Sequence, residues 1–232
     1  MESAYPYLVS QDDFEKYTYL WENQLNDPTG VALSDYFPSP DDKTKFLSYV
    51  YLPVEELIRL ISAVGTVTVK ARFGIWPVED RFVFTIFLFG CDSQNTPTTG
   101  YISTSFENPQ TLQQPGCNVG EEVPDALVME WIKNWQNCSE IERSLFEVPD
   151  GPLRGYTFVL DDFMDTMFPL SEIANQHLRI SFALHKFYKP GPLENALTAT
   201  FGLVLDIPVD TSNATAVTHA YYDISMPCPS TC

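Results

Sequence analysis

Residues 66–73, Thr-Val-Thr-Val-Lys-Ala-Arg-Phe, alternate apolar and polar side chains and are rich in β-branched residues. This pattern predicts a strand with one buried face and one polar face. Residues 178–185, Leu-Arg-Ile-Ser-Phe-Ala-Leu-His, show the same alternation in the same phase. Val67 and Leu178 begin the two matching apolar rows. The sequence therefore predicts two similar strands, one in each half of the chain.

Each of these strands is followed by further β-like segments. Residues 81–89 are almost continuously apolar and aromatic, and residues 197–205 are mostly apolar. Such runs are typical of central strands that are covered on both faces. Residues 100–106 and 220–225 then predict a third strand in each half, and residues 74–80 predict the loop between the first two strands of the first half.

The segments upstream of the two strands also agree in type and order. Each half begins with an amphipathic helix that carries an aromatic stripe, followed by a short strand and a second, shorter helix. The acidic residues of the second helices fall in their first turns, where the helix dipole favours negative charge. The predicted helix, strand and helix are residues 10–25, 46–52 and 53–61 in the first half, and residues 124–137, 155–159 and 160–168 in the second.

We therefore predict an α+β fold built by tandem duplication of a helix–strand–helix–antiparallel-meander unit. The first α+β repeat spans residues 1–115 and the second spans residues 116–232, with residues 116–123 as the linker. Two such units can pack around a pseudo-twofold axis, like a fused version of a symmetric dimer. Residue identity between the halves is low, so the prediction depends on the order, phase and spacing of the elements.

The composition restricts the partners of the chain. Its 232 residues include 13 Lys plus Arg against 31 Asp plus Glu, a formal net charge of −18. Such a surface repels phosphate backbones and anionic membranes, so we expect no nucleic-acid and no membrane partner. The candidate partners are a second copy of the chain, as a homodimer, or another protein. The N-terminal residues lack the basic and apolar regions of a signal peptide, which predicts a cytoplasmic location.

Four side chains on the polar faces of the two predicted strands are candidate binding residues. By parity, Lys70 and Arg72 share the polar face of the first strand. Arg179 and His185 share the matching face of the second. Cations grouped in an acidic chain can bind a small anion or assist a general base. The competing interpretation is that these residues pair with acids on neighbouring strands. No residue is predicted to be catalytic.

The cysteines and the known motifs add no cofactor chemistry. Cys228 and Cys232 close the chain as Cys-Pro-Ser-Thr-Cys, whose three-residue gap differs from the two-residue gap of common zinc and redox motifs. We expect a frayed terminus there. The sequence contains no phosphate loop, dinucleotide fingerprint, nucleophile elbow or metalloprotease motif. We therefore expect neither a metal nor a cofactor.

The sequence leaves three hypotheses for function. The first is a non-catalytic intracellular protein that acts in binding or assembly, because aromatic helix faces can support association. The second is an enzyme that acts on a small anionic molecule at the seam between the repeats, with His185 as its base. The third is an acidic decoy or inhibitor of a basic partner.

Overall fold

The computed structural model describes residues 7–27, 30–40, 42, 44–106, 125–149, 151–167, 170, 173–189, 196–207 and 226–228. The elements before residue 107 are β1 (Leu8–Val9), α1 (Gln11–Asn26), β2 (Tyr49–Pro53), α2 (Val54–Ile61), β3 (Thr68–Val78), β4 (Arg81–Cys91) and β5 (Tyr101–Ser103). The elements after residue 124 are α3 (Asp125–Gln136), β6 (Glu147–Val148), β7 (Gly151–Pro152), β8 (Gly155–Val159), α4 (Leu160–Met167), β9 (His177–Lys189), β10 (Ala196–Asp206) and β11 (Met226–Cys228). A short 3-10 turn precedes β2, at Leu33–Tyr36, and another precedes β6, at Arg143–Phe146.

All four predicted helices are present. The N-terminus of α1 is capped by Ser10, whose Oγ accepts a hydrogen bond from the backbone N–H of Asp13 at 3.1 Å. Asp12 and Asp13 occupy the first turn, where negative charge is favourable. The buried residues of this helix include Tyr17 and Trp21, two members of the aromatic stripe. The stripe therefore faces the core, as the sequence indicates.

The strands form antiparallel sheets. One sheet has the order β1-β5-β4-β3-β8-β11, and a second has the order β10-β9-β2. The isolated bridge between Tyr51 and Ser105 connects β2 of the second sheet to the residues just after β5 of the first. The α+β class with antiparallel sheets is confirmed.

Each of these two sheets combines strands from both predicted repeats, whereas a small two-stranded sheet, β6–β7, lies within the second. Strand β8 pairs with β3, so that Gly155 lies opposite Arg72. Strand β2 pairs with β9, so that Tyr49 lies opposite Ser181. Each short strand thus joins the sheet that contains the other half's long hairpin. The predicted repeat boundary, the linker at residues 116–123 and the predicted strand at residues 220–225 lie outside the described residues.

Two local predictions are wrong. Residues 74–78 are not a loop but the continuation of β3, and the hairpin turn is reduced to Glu79 and Asp80. Strand β3 tolerates Pro77 because the pairing of β8 with β3 ends at Arg72. The N–H of Phe73 points to that side, toward the carbonyl of Arg154. The backbone nitrogen of Pro77 faces the same side of β3 as that of Phe73, because the two are an even number of residues apart. Strand β8 does not extend as far as Pro77, so the missing N–H of the proline costs no hydrogen bond between strands.

The C-terminal segment also differs from the prediction. Met226–Cys228 forms β11 and pairs with β8, with Cys228 opposite Gly155, so the frayed terminus expected at Cys228 is wrong. The physical reason is that β8 offers a sheet edge next to β3, and backbone groups of a terminal segment are satisfied by pairing with it. Cys232 lies outside the described residues.

The two sheets and the first helices enclose one aromatic core. Trp21 and Trp135 are fully buried, and the indole N–H of each donates to a main-chain carbonyl from the other half of the chain. Trp21 Nε1 donates to Leu153 O at 3.1 Å, and Trp135 Nε1 donates to Leu47 O at 2.9 Å. The rings that surround them are Phe37, Phe73, Phe84, Phe146, Phe182 and Phe201.

The backbone around the two carbonyls is also arranged alike. Leu47 N–H donates to Phe37 O at 2.8 Å, and Leu153 N–H donates to Phe146 O at 2.7 Å. Each of these leucines therefore lies just after a segment that contributes a core phenylalanine, and just before a short strand that joins the opposite hairpin.

No helix in the described part of the chain is long and apolar enough to cross a membrane.

Candidate functional site

A cavity of about 400 Å³ lies where α1 crosses the outer face of β3. The even-numbered residues of β3 face this helix, because the odd-numbered Val69, Ala71 and Phe73 belong to the buried core cluster. Lys70 and Arg72 therefore form part of the cavity wall. The helix contributes Glu15 and Glu22 to the opposite wall, two turns apart on the same face.

The charges beside the cavity are arranged around Glu22. Its Oε1 accepts a hydrogen bond from Arg72 Nη2 at 3.0 Å and lies 3.5 Å from Arg154 Nε. One carboxylate thus faces two guanidinium groups, and Lys70 adds a third cation near Arg72. The Nε atoms of Arg72 and Arg154 are buried, and neither has a hydrogen-bond acceptor among the residues that the structure describes. The guanidinium groups around Glu22 therefore carry donors that its carboxylate does not satisfy.

Burial dominates the electrostatics of the two cavity cations. Lys70 is 4% exposed, and this burial lowers the pKa of its ammonium group because the charged form loses water. The Cys91 thiol acts in the opposite direction, and the Arg72 guanidinium lowers the pKa of Lys70 further. Burial likewise lowers the pKa of Arg72, which Glu22 partly offsets. Both cations would gain from a negative charge placed in the cavity.

One side of the cavity is aromatic. The rings of Phe14 and Tyr101 stack with their centroids 3.8 Å apart and their planes at 6°. Phe89 contacts both rings edge to face, at 5.4 Å from Phe14 and 5.1 Å from Tyr101. Burial raises the pKa of the Tyr101 hydroxyl, and Glu15 adds to this effect. The cavity wall therefore combines cations with aromatic rings, and Phe89 lies directly opposite Lys70 on β4.

The structure places Arg179 in a buried ion pair. Its Nε donates to Asp206 Oδ1 at 3.0 Å and its Nη2 donates to Asp206 Oδ2 at 2.5 Å. The two side chains are 6% and 1% exposed, respectively. They lie directly opposite each other on β9 and β10. The geometry is the bidentate fork that suits a guanidinium and a carboxylate.

His185 lies on the same face of β9 as Arg179, and its side chain is exposed. Its ring centroid is 4.6 Å from that of Trp131 on α3. The neighbouring residues of that face, Ala183 on β9 and Val204 on β10, pack with α3 in a small apolar cluster. The structure thus brings Lys70 and Arg72 together in one cavity, whereas Arg179 and His185 lie on a different sheet and do not belong to that cavity.

Sequence reasoning identified two members of the cavity and missed those from α1 and from the β4–β5 region. A signal for the α1 residues exists, since Glu15, Thr18 and Glu22 have the spacing i, i+3, i+7 and share a helix face. This polar face of α1 lies beside the aromatic stripe of the helix. It packs across β3, the strand that carries Lys70 and Arg72. No comparable local signal marks Tyr101, which reaches the cavity only through strand pairing.

A second cavity of about 320 Å³ lies between α2 and the segment before β5. Its floor includes Leu60 and Ile102, and its cation, Arg59, forms an ion pair with Glu56 at 2.9 Å. The walls of both cavities hold as many carboxylates as cations, but beside the cavity beneath α1 lies a further guanidinium, that of Arg154, and the Nε atoms of Arg72 and Arg154 lack a hydrogen-bond acceptor among the described residues. We therefore regard the α1 cavity as the candidate site.

In the described ranges, no group of three or more His, Cys, Asp and Glu side chains is placed to hold a metal ion. Comparisons with protein-family models, with curated proteins and with solved structures found no match to this chain.

Proposed function

We propose that this chain is a non-catalytic, cytoplasmic binding protein that holds a small anionic molecule in the cavity between α1 and β3. The observation that carries the proposal is the group of cations beside that cavity. Lys70 and Arg72 line the cavity with Glu15 and Glu22, and Arg154 lies beside it, 3.5 Å from Glu22, so that the five groups together carry a formal charge of about +1. The chain as a whole carries −18.

The contrast between local and overall charge supports a small ligand. A polyanion such as a nucleic acid would contact a wide acidic surface as well as the cavity, and its association would be repelled. A small anion would contact the cavity wall alone, where Lys70 and Arg72 lie together with Glu15 and Glu22. The Nε–H of Arg72 is buried and has no acceptor among the described residues, and such an unmade hydrogen bond is unfavourable.

The binding test uses the full chain and three variants. Thermal-shift and calorimetric titrations in low-salt buffer, with acetate, benzoate and inorganic phosphate as ligands, should reveal saturable binding of at least one anion. Lys70→Met should weaken it by about tenfold or more, since a hydrogen bond to a charged group contributes about 1.5–3 kcal/mol. Arg72→Met should also weaken it.

Lys45→Met is the matched control, because it removes one lysine charge from a side chain that is 72% exposed and lies outside the cavity wall. The affinity of the Lys45→Met variant for the anion should equal that of the unmodified chain. Absence of binding for every anion, or equal effects of Lys45→Met and Lys70→Met, would contradict the proposal. The two alternatives predict other results: an enzyme would convert its ligand and lose turnover on His185→Ala, and a decoy would bind a basic protein in a salt-sensitive way.

We also propose that the chain is a tandem duplication whose halves, residues 1–115 and 116–232, pack around a pseudo-twofold axis. The paired contacts of the core support this. The Trp21–Leu153 hydrogen bond has its counterpart in the Trp135–Leu47 hydrogen bond, with donor and acceptor halves exchanged. Both halves contain a helix, a short strand, a second helix and a long hairpin in the same order, whereas β1 of the first half and the β6–β7 pair of the second have no counterpart.

The strand registers support the same proposal and refine its alignment. Thr68 lies opposite Val159, the last residue of β8, and His177 lies opposite Pro53, the last residue of β2. Because β2 and β8 are the corresponding short strands, these registers match Thr68 of β3 with His177 of β9. The sequence pattern, which begins both rows at Val67 and Leu178, is displaced from this alignment by two positions. Because side chains alternate between the two faces of a strand, a shift of two positions keeps each residue matched with one on the same face.

An experimental structure tests the duplication directly. If the two halves superpose by a rotation close to a half-turn, the duplication and its pseudo-twofold axis are supported. A rotation far from a half-turn, or matching elements that do not superpose, would oppose it.

A further inference from the structure

We infer that Glu22 is an internal competitor at the proposed anion site, and that an anion binds by displacing its carboxylate from Arg72 and Arg154. This inference rests on the proposed anion-binding function. It deepens that function by naming what regulates the affinity of the site, namely a side chain of the protein itself that occupies the guanidinium groups until an anion replaces it.

The contact of Glu22 with the two guanidinium groups is incomplete. Its Oε1 accepts a hydrogen bond from Nη2 of Arg72 at 3.0 Å and lies 3.5 Å from Nε of Arg154, an ion pair without a hydrogen bond. The Nε atoms of both arginines are buried and have no hydrogen-bond acceptor among the described residues. One negative charge therefore faces two positive charges, and two donors remain unsatisfied.

The pair of Arg179 and Asp206 shows how a fully satisfied ion pair is built in this chain. Both oxygens of Asp206 accept hydrogen bonds there, and Nε of Arg179 is one of the two donors. The side chains of that pair are 6% and 1% exposed, whereas those of Arg72 and Glu22 are 17% and 26% exposed. Because the Glu22 contact has fewer hydrogen bonds and more water around it, it costs less free energy to break.

The backbone on both sides of the contact is held in place, so the movement falls to the side chain of Glu22. The preceding residue, Trp21, is fully buried, and its indole donates to the carbonyl of Leu153, next to Arg154. Arg72 lies within β3, which is paired with β4 on one side and β8 on the other. The carboxylate of Glu22 lies at the solvent boundary on a side chain with several rotatable bonds. Their rotation returns it to water without a shift of α1.

An anion in the cavity supplies the driving force for this rotation. Glu22 and Arg72 both form part of the cavity wall, so an anion that accepts from Arg72 comes close to the carboxylate of Glu22. Two like charges that share one guanidinium repel each other in a partly buried place. Departure of Glu22 relieves this repulsion and leaves the guanidinium donors to the ligand. The affinity of the site is therefore the difference between what the ligand gains there and what Glu22 loses.

The test titrates the full chain and two variants with acetate, benzoate and inorganic phosphate by isothermal calorimetry. Glu22→Gln should raise the affinity for each anion that binds by about tenfold or more, because no carboxylate has to leave the guanidinium groups.

Glu15→Gln is the matched control, because it removes the same charge from the same helix face and the same cavity wall. Glu15 is exposed, and its Oε1 accepts a hydrogen bond from the side-chain amide of Gln11 at 2.8 Å. Its substitution acts on the anion only through space and should raise the affinity by about threefold or less.

The outcomes separate this inference from the function on which it rests. Equal effects of the two variants, or a lower affinity in Glu22→Gln, would overturn the inference and leave the anion-binding function standing. No binding of any of the three anions to either the unmodified chain or Glu22→Gln would overturn both.

A measurement on the unmodified chain decides the question even if Glu22→Gln does not fold. Proton–nitrogen correlation NMR detects the Nε–H groups of arginines. Saturation with acetate or phosphate should move the Nε–H signals of Arg72 and Arg154 downfield, because each gains an acceptor. The Nε–H of Arg179, which already donates to Asp206, is the internal control and should not move. Unchanged signals of Arg72 and Arg154 in the saturated chain would overturn the inference.

Discussion

The indole N–H of Trp21 donates to the carbonyl of Leu153, which joins the first helix of the chain to a residue 132 positions later, just before β8. Trp21→Phe removes this donor and leaves a buried carbonyl without its partner. We expect a loss of about 1–3 kcal/mol from the hydrogen bond, with a further loss from the smaller ring. Urea denaturation with linear extrapolation measures the change.

Trp135→Phe is the matched variant, because Trp135 makes the corresponding bond to Leu47. Both variants should unfold in one cooperative transition, because each of the two larger sheets contains strands from both halves. Two separate transitions, or an effect confined to one half of the chain in hydrogen exchange, would argue against this integrated core.

The buried pair of Arg179 and Asp206 predicts an asymmetry between single and double variants. Asp206→Leu alone leaves a guanidinium buried without its carboxylate and should cost about 3–5 kcal/mol. Arg179→Met with Asp206→Leu removes both charges and should recover most of that loss. Denaturation of the two variants beside the unmodified chain measures the difference. A double variant as unstable as the single one would mean that the pair's packing, and not its charge, dominates.

The helices and the central strands were predictable from the sequence because their signals are local. The acidic first turns, the aromatic stripe and the alternation of residues 66–73 each depend on neighbours within a few positions. The continuation of β3 through Pro77 was not predictable, since it requires knowing on which side β8 ends. A proline indicates a break unless its missing N–H points to an unpaired side.

The candidate site was predictable only in part for the same reason. Parity places Lys70 and Arg72 on one face of a strand, but it does not reveal which helix covers that face. The ion pair between Arg72 and Glu22 spans 50 residues, and Arg154 approaches the same carboxylate from the other half of the chain. Equally, no local pattern indicates that Arg179 is neutralised by Asp206, which lies opposite it only in the register of β9 and β10.

Gly155 lies where β8 begins beside β3, and its φ of +152° is accompanied by a close backbone approach. A Cβ at this position would lie 1.9 Å from the carbonyl oxygen of Ala71. Gly155→Ala should therefore displace β8 from β3 and cost more than about 3 kcal/mol, beyond the usual range of single substitutions. Thermal and urea denaturation measure the loss.

Gly65→Ala separates backbone strain from this clash. Gly65 has a φ of +87°, but the nearest atom to its Cβ would be Thr98 Cγ2 at an ordinary 3.9 Å. Its substitution should cost only about 1 kcal/mol, from the left-handed conformation alone. If both variants lose the same stability, the proximity of Gly155 to Ala71 is relieved by small shifts and does not constrain the sheet.

The lowered pKa of Lys70 predicts how the affinity for an anion depends on pH. Burial lowers the pKa of its ammonium group, so Lys70 loses its charge at a lower pH than an exposed lysine does. Benzoate stays ionised throughout the alkaline range, and its affinity should therefore fall as the pH rises through the lowered pKa of Lys70. The bound carboxylate favours the charged form of Lys70. Calorimetry in buffers of different ionisation enthalpy should therefore detect proton uptake on binding at a pH near that lowered value.

The lowered pKa of Lys70 also makes the stability of the ligand-free chain depend on pH. The charged form of Lys70 is less favourable in the folded chain than in the unfolded chain, so its destabilising effect is full below the lowered pKa and disappears above the ordinary value near 10.5. Lys70→Met should remove this effect. Lys70→Arg keeps a positive charge across the range, and its benzoate affinity should be nearly independent of pH. If the unmodified chain and Lys70→Arg show the same pH profile, the titrating group is not Lys70 and the anion does not contact it.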